Sequence, residues 1–212
     1  IILEIRRSAE NAMGYALRDE RHSRYGDYRR WPDDLRYELI NGAAYLMAPA
    51  PTTDHQTVVL ELAFQVRTAL EGARCRILLA PVDVLLPHGG EADDEVDTVL
   101  QPDLLVVCDP AKVVMHGVRG APDWAVEVLS PSSAGHDQTI KLAAYERAGV
   151  REYWLVHPGD RVLTVYRAGA DGYGKPDIQE LSGETAVGVL PGVTVRWEPI
   201  VSRLLPTGSD KR

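Results

Sequence analysis

Trp124-Ala-Val-Glu-Val-Leu129, followed by Ser130-Pro-Ser-Ser133, reads as a β-strand with a carboxylate near its centre and a sharp stop at its end. The stop is chemical: proline has no amide to donate to a neighbouring strand. Ala134 to Ala148 then predicts a helix, closed by Gly149. Glu152–Val156 and Val162–Arg167 predict two further strands. Upstream, Arg76–Leu79, Val82–Leu86 and Leu104–Cys108 are β-rich, and the last two flank an acidic loop.

Working outward, Arg36–Ile40 and Ala43–Met47 are joined by Asn41-Gly42, the pair a type I′ hairpin turn prefers because both residues tolerate positive φ. Between hairpin and strands, Val58, Val59, Leu62, Ala63, Val66 and Leu70 repeat at helical spacing. They predict one amphipathic helix over Thr53–Ala73, with Thr52 or Thr53 as N-cap and Gly72 near its end. Asp27–Asp34 predicts a short helical lead-in, and weaker strands are expected near Asp177–Leu181 and Val193–Trp197. Residues 1–12 read as flexible, with Met13 a plausible natural start. The expected organisation is a lead-in over 1–26, a core domain over 27–168 and a Gly-rich β extension over 169–212 that packs on it. The fold class is α+β: a mixed sheet flanked by helices, with an N-terminal hairpin.

The chain has 212 residues, 45% hydrophobic and 25% charged, which excludes disorder and coiled coil. No apolar run reaches the roughly 20 residues that span a bilayer; no membrane partner and a cytoplasmic location are therefore expected. Cys75 and Cys108 sit in apolar runs and read as small buried hydrophobes rather than as a disulfide. The net charge of −8 is local. Residues 77–112 hold eight acids against Lys112 alone. The run Glu91-Ala-Asp-Asp-Glu-Val-Asp97 lacks the ligand alternation of a calcium loop and reads as a solvated loop.

Two acids stand in strands expected to be buried, Asp103 before Leu104–Cys108 and Glu127 within Trp124–Leu129. A buried carboxylate is costly unless paired or metal-bound. On the following helix Asp137 and Lys141 are four residues apart, hence on one face, and the tight turn returns that face to Glu127. Two acids from adjacent strands and a lysine are the parts needed to hold Mg²⁺ and hydrolyse a phosphodiester, since hard oxygen ligands suit Mg²⁺ and an ammonium steadies developing negative charge.

Tyr37-Glu-Leu-Ile-Asn-Gly42, His55, Gln101-Pro-Asp-Leu104, Val126-Glu-Val-Leu-Ser-Pro-Ser132, Asp137, Lys141 and Ala148-Gly-Val-Arg-Glu-Tyr-Trp154 together resemble the Uma2 family of "putative restriction endonucleases", also known as DUF820. The likeness covers about residues 27–167 and implies the PD-(D/E)XK nuclease fold. It implies Asp103 and Glu127 as metal ligands, Val128 through its carbonyl oxygen, Glu38 as a helper acid and Lys141 as the catalytic lysine. It further implies Mg²⁺, or Mn²⁺ in its place, DNA as substrate and a homodimer. Two departures stand out: Leu129 occupies the position two after the acid where the superfamily has its lysine, and Ala43 replaces an acid that many relatives carry.

Plainer readings compete. Glu127 and Lys141 could form a structural salt bridge, Asp103 could cap a turn, and Glu38 could face solvent on the hairpin. His55 reads first as a histidine of the helix N-terminus or of the packing, His136 and Asp137 as helix caps, and Asp83 as an outer acid near the site. Trp124, Tyr153 and Trp154 read as core. The function classes that follow are a Mg²⁺-dependent endonuclease, a catalytically silent binding module on the same scaffold, and a structural protein with an ion-paired core. In the last, Lys141→Met would leave stability unchanged or raise it.

Overall fold

A computed structural model describes residues 18–19, 22–32, 36–47, 51–130 and 134–206. The strands form two large sheets rather than the one the sequence suggests. The first runs β1 (Arg18–Asp19), β3 (Ala43–Leu46), β2 (Tyr37–Ile40), β6 (Val99–Leu100), β5 (Asp83–Leu85), β9 (Gly117–Arg119), β8 (Val113–Val114). The second runs β13 (Gly172–Tyr173), β12 (Val162–Gly169), β11 (Glu152–His157), β10 (Trp124–Val128), β7 (Leu104–Val107), β4 (Arg76–Leu79), with β14 (Asp177–Glu180) also paired to β12. A ribbon of β15 (Glu184–Ala186) and β16 (Thr194–Arg196) completes the β structure among the described residues.

The hairpin forms for the reason its turn predicts: Asn41 and Gly42 take φ of 51° and 77°. Helix α1 (Tyr25–Tyr28) is shorter and earlier than the expected lead-in, whose residues 33–35 lie outside the described residues. Helix α2 (Thr53–Ala69) starts as expected, with the Thr52 side chain accepting from the His55 amide at 3.2 Å, and stops four residues short of Ala73. Ala134–His136, Asp137–Lys141 and Leu142–Ala148 run on as one helix, α3, ended by Gly149 at φ 83°. Its middle stretch is a wide π-turn. Such turns leave carbonyls without their usual helical partner, and the Asp137 carbonyl here accepts the Tyr153 hydroxyl at 3.1 Å. Of the expected stop after β10, residues 131–133 lie outside the described residues. A short helix, α4 (Glu198–Val201), follows the ribbon.

Alternation along the central strands divides the interior in two. Leu104, Val106, Trp124, Val126, Trp154 and Val156 face α2 and the C-terminal segment that includes Trp197 and Ile200. Leu105, Val107, Ala125, Leu129, Tyr153 and Leu155 face α3 and the first sheet. Trp124, Tyr153 and Trp154 are fully buried, as expected of core aromatics.

The cysteines depart from expectation: Cys75 and Cys108 are joined by a disulfide. The sequence hid this because the partners are 33 residues apart, and only the antiparallel register of β4 and β7, with Arg76 opposite Val107, sets them side by side. The acidic loop is solvated as expected, with Asp93, Asp94 and Glu95 exposed. It makes a single tight turn over Asp93–Glu95, and Arg119, Arg29 and Arg24 pair with Asp93, Asp94 and Glu95.

Candidate active site

The register of β7 and β10 builds the centre. Antiparallel pairing runs Trp124↔Val106, Ala125↔Leu105, Val126↔Leu104, so the next opposed residues are Glu127 and Asp103, on the face that meets α3. There β7 ends and a side chain takes over its hydrogen bond: Val128 N donates to Asp103 Oδ2 at 2.7 Å. The amide and carbonyl of one strand residue lie along the same edge. The Val128 carbonyl therefore points past the end of β7, on Asp103's side, while Leu129 N turns the other way to Val156 O.

Lys141, only 3% exposed, enters from the π-turn of α3. Its Nζ lies 2.6 Å from Glu127 Oε1, 3.0 Å from Glu38 Oε1 and 3.4 Å from Asp137 Oδ1. Leu129, at the superfamily's lysine position, is packed in the core instead. Glu38 is buried, not solvent-facing; its Oε1 also accepts the Gln101 amide at 2.8 Å, and His136 Nε2 stands 3.5 Å from its Oε2. Glu127 Oε1 accepts the Tyr145 hydroxyl at 3.0 Å. Asp103 Oδ2 meets His55 Nε2 at 3.0 Å. The structure thus brings Glu38, Glu127 and Lys141 into direct contact, with Asp103 and Val128 beside them.

Three sequence expectations need correction. His55 is bonded to Asp103 rather than merely packed, because the first turn of α2 lies over the end of β7. Asp137 is no exposed cap: it is 5% exposed and paired to Lys141 inside the helix. His136 faces Glu38 and packs on the Tyr45 ring. Asp83 accepts from Gln101 and lies outside this cluster. Sequence reasoning also missed Tyr145 and Gln101. A signal for Tyr145 was present, since it stands four residues after Lys141 and so shares its helix face.

The electrostatics follow from several acids sharing one buried lysine. Burial pushes the Glu38 carboxyl up, but Lys141, His136 and the Gln101 amide more than reverse this and hold its pKa at about 2. Glu127 goes the other way. Burial pushes it well above the usual carboxylate range; Lys141 opposes the rise, while Asp137, Asp103 and Glu38 add to it. The two share the lysine, yet the opposite directions are coherent, because Glu38 has two further donors and Glu127 faces three other acids. Burial pulls Lys141 down, but Glu127, Glu38 and Asp137 raise it well above its ordinary value, so it stays charged. Burial and Glu127 push Tyr145 well up, keeping it a donor.

Donor chemistry at the centre suits a hard divalent cation. Asp103 Oδ1 and Glu127 Oε2 make no hydrogen bond or ion pair among the described residues, and the Val128 carbonyl points to the same edge. Among the described residues, however, no three His, Cys, Asp or Glu side chains are gathered closely enough to hold a metal by themselves. The carbonyl and water would have to complete the shell.

Residues 25–198 match the Uma2 family model, described as "Putative restriction endonuclease". The chain belongs to the Uma2 family. A relative by sequence, "Uncharacterized protein slr1290" of Synechocystis sp. (strain ATCC 27184 / PCC 6803 / Kazusa), is 25% identical over 154 residues, 69% of this chain and 74% of its own length. A crystal structure of "a putative nuclease belonging to DUF820" from Anabaena variabilis ATCC 29413 superposes with a TM-score of 0.69, covering 86% of this chain and 99% of that one at 19% identity. That likeness shows the shared fold, a mixed restriction-endonuclease-like sheet core flanked by helices. Among the described residues no helix is long and apolar enough to cross a membrane.

Proposed function

We propose that this Uma2 protein is a Mg²⁺-dependent endonuclease, with Mn²⁺ able to substitute, that hydrolyses DNA phosphodiester bonds. The observation that carries the reading is the cross-strand pair Asp103 and Glu127 with the Lys141 ammonium 2.6 Å from Glu127. Asp103, Glu127 and the Val128 carbonyl would hold the ion. When bound, it supplies Lewis acidity to the phosphate and the attacking water. The chain's own groups do the rest. His55 and the Val128 amide orient Asp103; the Gln101 amide and His136 fix Glu38 as a helper acid. Lys141, charged throughout the physiological range, steadies negative charge on the attacking oxygen or the phosphate. The reading includes a homodimer, since two cuts of a duplex call for two sites. It also includes action in the cytoplasm.

Plasmid cleavage tests it. Nicking or linearisation is expected with Mg²⁺ and not with EDTA, and Asp103→Asn and Glu127→Gln should each lower the rate at least about a hundredfold. Equal cleavage with and without the metal, or wild-type rates in Asp103→Asn, would sink the proposal. A second reading, a silent module that binds nucleic acid or protein, is favoured by the ammonium standing among three carboxylates where, among the described residues, no ready set of three metal-binding side chains exists. Calorimetric titration with Mg²⁺ and Mn²⁺ separates them: binding lost in Asp103→Asn supports the nuclease, and no heat with either ion supports the silent module.

A further inference from the structure

Beside the acid cluster lies a cavity of about 410 Å³ that the catalytic reading does not use. Four aromatic rings line it in sequence. Tyr25 stacks on Tyr28 at 5.8 Å, Tyr28 meets Trp31 edge-on at 5.6 Å, and Trp31 meets Tyr37 at 5.2 Å. Tyr25 and Tyr37 are buried, whereas Tyr28 and Trp31 are half-buried and keep surface open to the cavity. Arg29 and Arg36 stand at the wall.

The polar floor is already satisfied. Asp83 accepts from the Tyr25 and Tyr28 hydroxyls and from Gln101 Nε2, at 3.2, 3.4 and 2.8 Å. Gln101 Oε1 takes Arg36 Nε at 3.1 Å and Nη2 at 2.5 Å. A ligand is therefore offered ring faces and cationic edges, with few free groups to read its own hydrogen-bonding edge. Arg29 has Asp94 as an exposed counter-charge, but Arg36 is met by the neutral Gln101 oxygen, so an apolar ligand would leave Arg36 without counter-charge among the described residues. A flat heterocycle carrying a phosphate answers both features, and stacking tolerates any base because every base has a π-face.

The cavity is also coupled to the acid cluster. The Gln101 amide holds Glu38 while its side chain holds Asp83, Tyr28 and Arg36, and Arg36 lies two residues before Glu38 in the chain. Two residues of extended chain span about 7 Å. From this we propose that the Tyr28–Trp31 cavity is a nucleotide subsite that grips one unpaired nucleotide near the scissile phosphate, stacking its base on Trp31 and Tyr28 and meeting its phosphate with Arg29 and Arg36. It rests on the nuclease reading for its placement, but its own test needs no cleavage.

The test is binding of the single-stranded octamer (dT)₈ to the full chain in EDTA, with (U)₈ as a parallel arm to show which sugar is preferred. Trp124, Trp154 and Trp197 are fully buried, so quenching of tryptophan fluorescence reports mainly on Trp31. Expected results are saturable quenching in the wild type and, with the affinities of the Trp31 variants read from the anisotropy of a fluorescein-labelled octamer, binding weakened about tenfold or more in Trp31→Leu and recovered in Trp31→Phe. A fully paired duplex should bind more weakly, because unpairing a base opposes entry. Arg29→Ala should flatten the slope of log K against log salt by about 0.7, the value for one phosphate contact to a single strand. Wild-type affinity in a folded Trp31→Leu, or a duplex bound as tightly as the octamer, would overturn the subsite. Loss of octamer binding in Trp31→Leu together with no metal-dependent cleavage by the wild type would keep the subsite and reject the nuclease.

Discussion

Replacing Lys141 by methionine tests the charge logic of the buried centre. Its ammonium touches Glu127 at 2.6 Å, Glu38 at 3.0 Å and Asp137 at 3.4 Å, at 3% exposure. Methionine keeps the bulk and removes the charge. Glu38, held at about 2 largely by that charge against the pull of burial, must then take up a proton to stay folded. At about 1.4 kcal/mol per pH unit, a carboxyl of ordinary value 4.5 held neutral at pH 7 costs about 3 kcal/mol, but under about 1 kcal/mol at pH 5. The first figure agrees with the roughly 3–5 kcal/mol seen when one partner of a buried pair is removed. The sign is that of a raised acid: the variant's deficit is small below the unfolded value and grows as pH rises. Urea unfolding at pH 5 and pH 7 measures it. A Lys141→Met protein within about 1 kcal/mol of wild type at pH 7, or a deficit independent of pH, would refute the reasoning. This also revises the expectation that a purely structural lysine could be exchanged without loss; with three acids on one cation, stability falls whether or not the centre is catalytic.

In the intact protein, Glu38 is a depressed acid, so its contribution is present above pH 4.5 and disappears as pH falls toward about 2. Thermal melts of wild type should lose stability over that window, and Glu38→Gln should flatten the loss. His55→Ala, which removes the side-chain partner of Asp103 Oδ2 and leaves the Val128 amide, should weaken Mg²⁺ or Mn²⁺ binding about ten- to a hundredfold in calorimetry while leaving the fold intact. Unchanged metal affinity would make His55 a packing residue after all.

Local pattern was enough for the longer elements, though not for the short strands β1, β6, β8, β9, β13 and β15 or for α4. Asn41-Gly42 specified its turn because two positive φ angles admit few residues, and the helical spacing of Val58, Val59, Leu62 and Val66 specified the buried face of α2. It was also enough for the idea that Glu127, set in an apolar strand, needs a partner, and that Lys141 on the next helix can supply it. Tertiary structure alone decided the rest, because each remaining feature depends on how far-apart segments register. The alignment of β7 with β10 sets Asp103 across from Glu127, and the docking of α2 brings His55 onto Asp103 across 48 residues. The pairing of β4 with β7 joins Cys75 to Cys108. The burial of Glu38 depends on the hairpin closing over α3, and burial with competing charges, not residue identity, is what sends Glu38 down and Glu127 up.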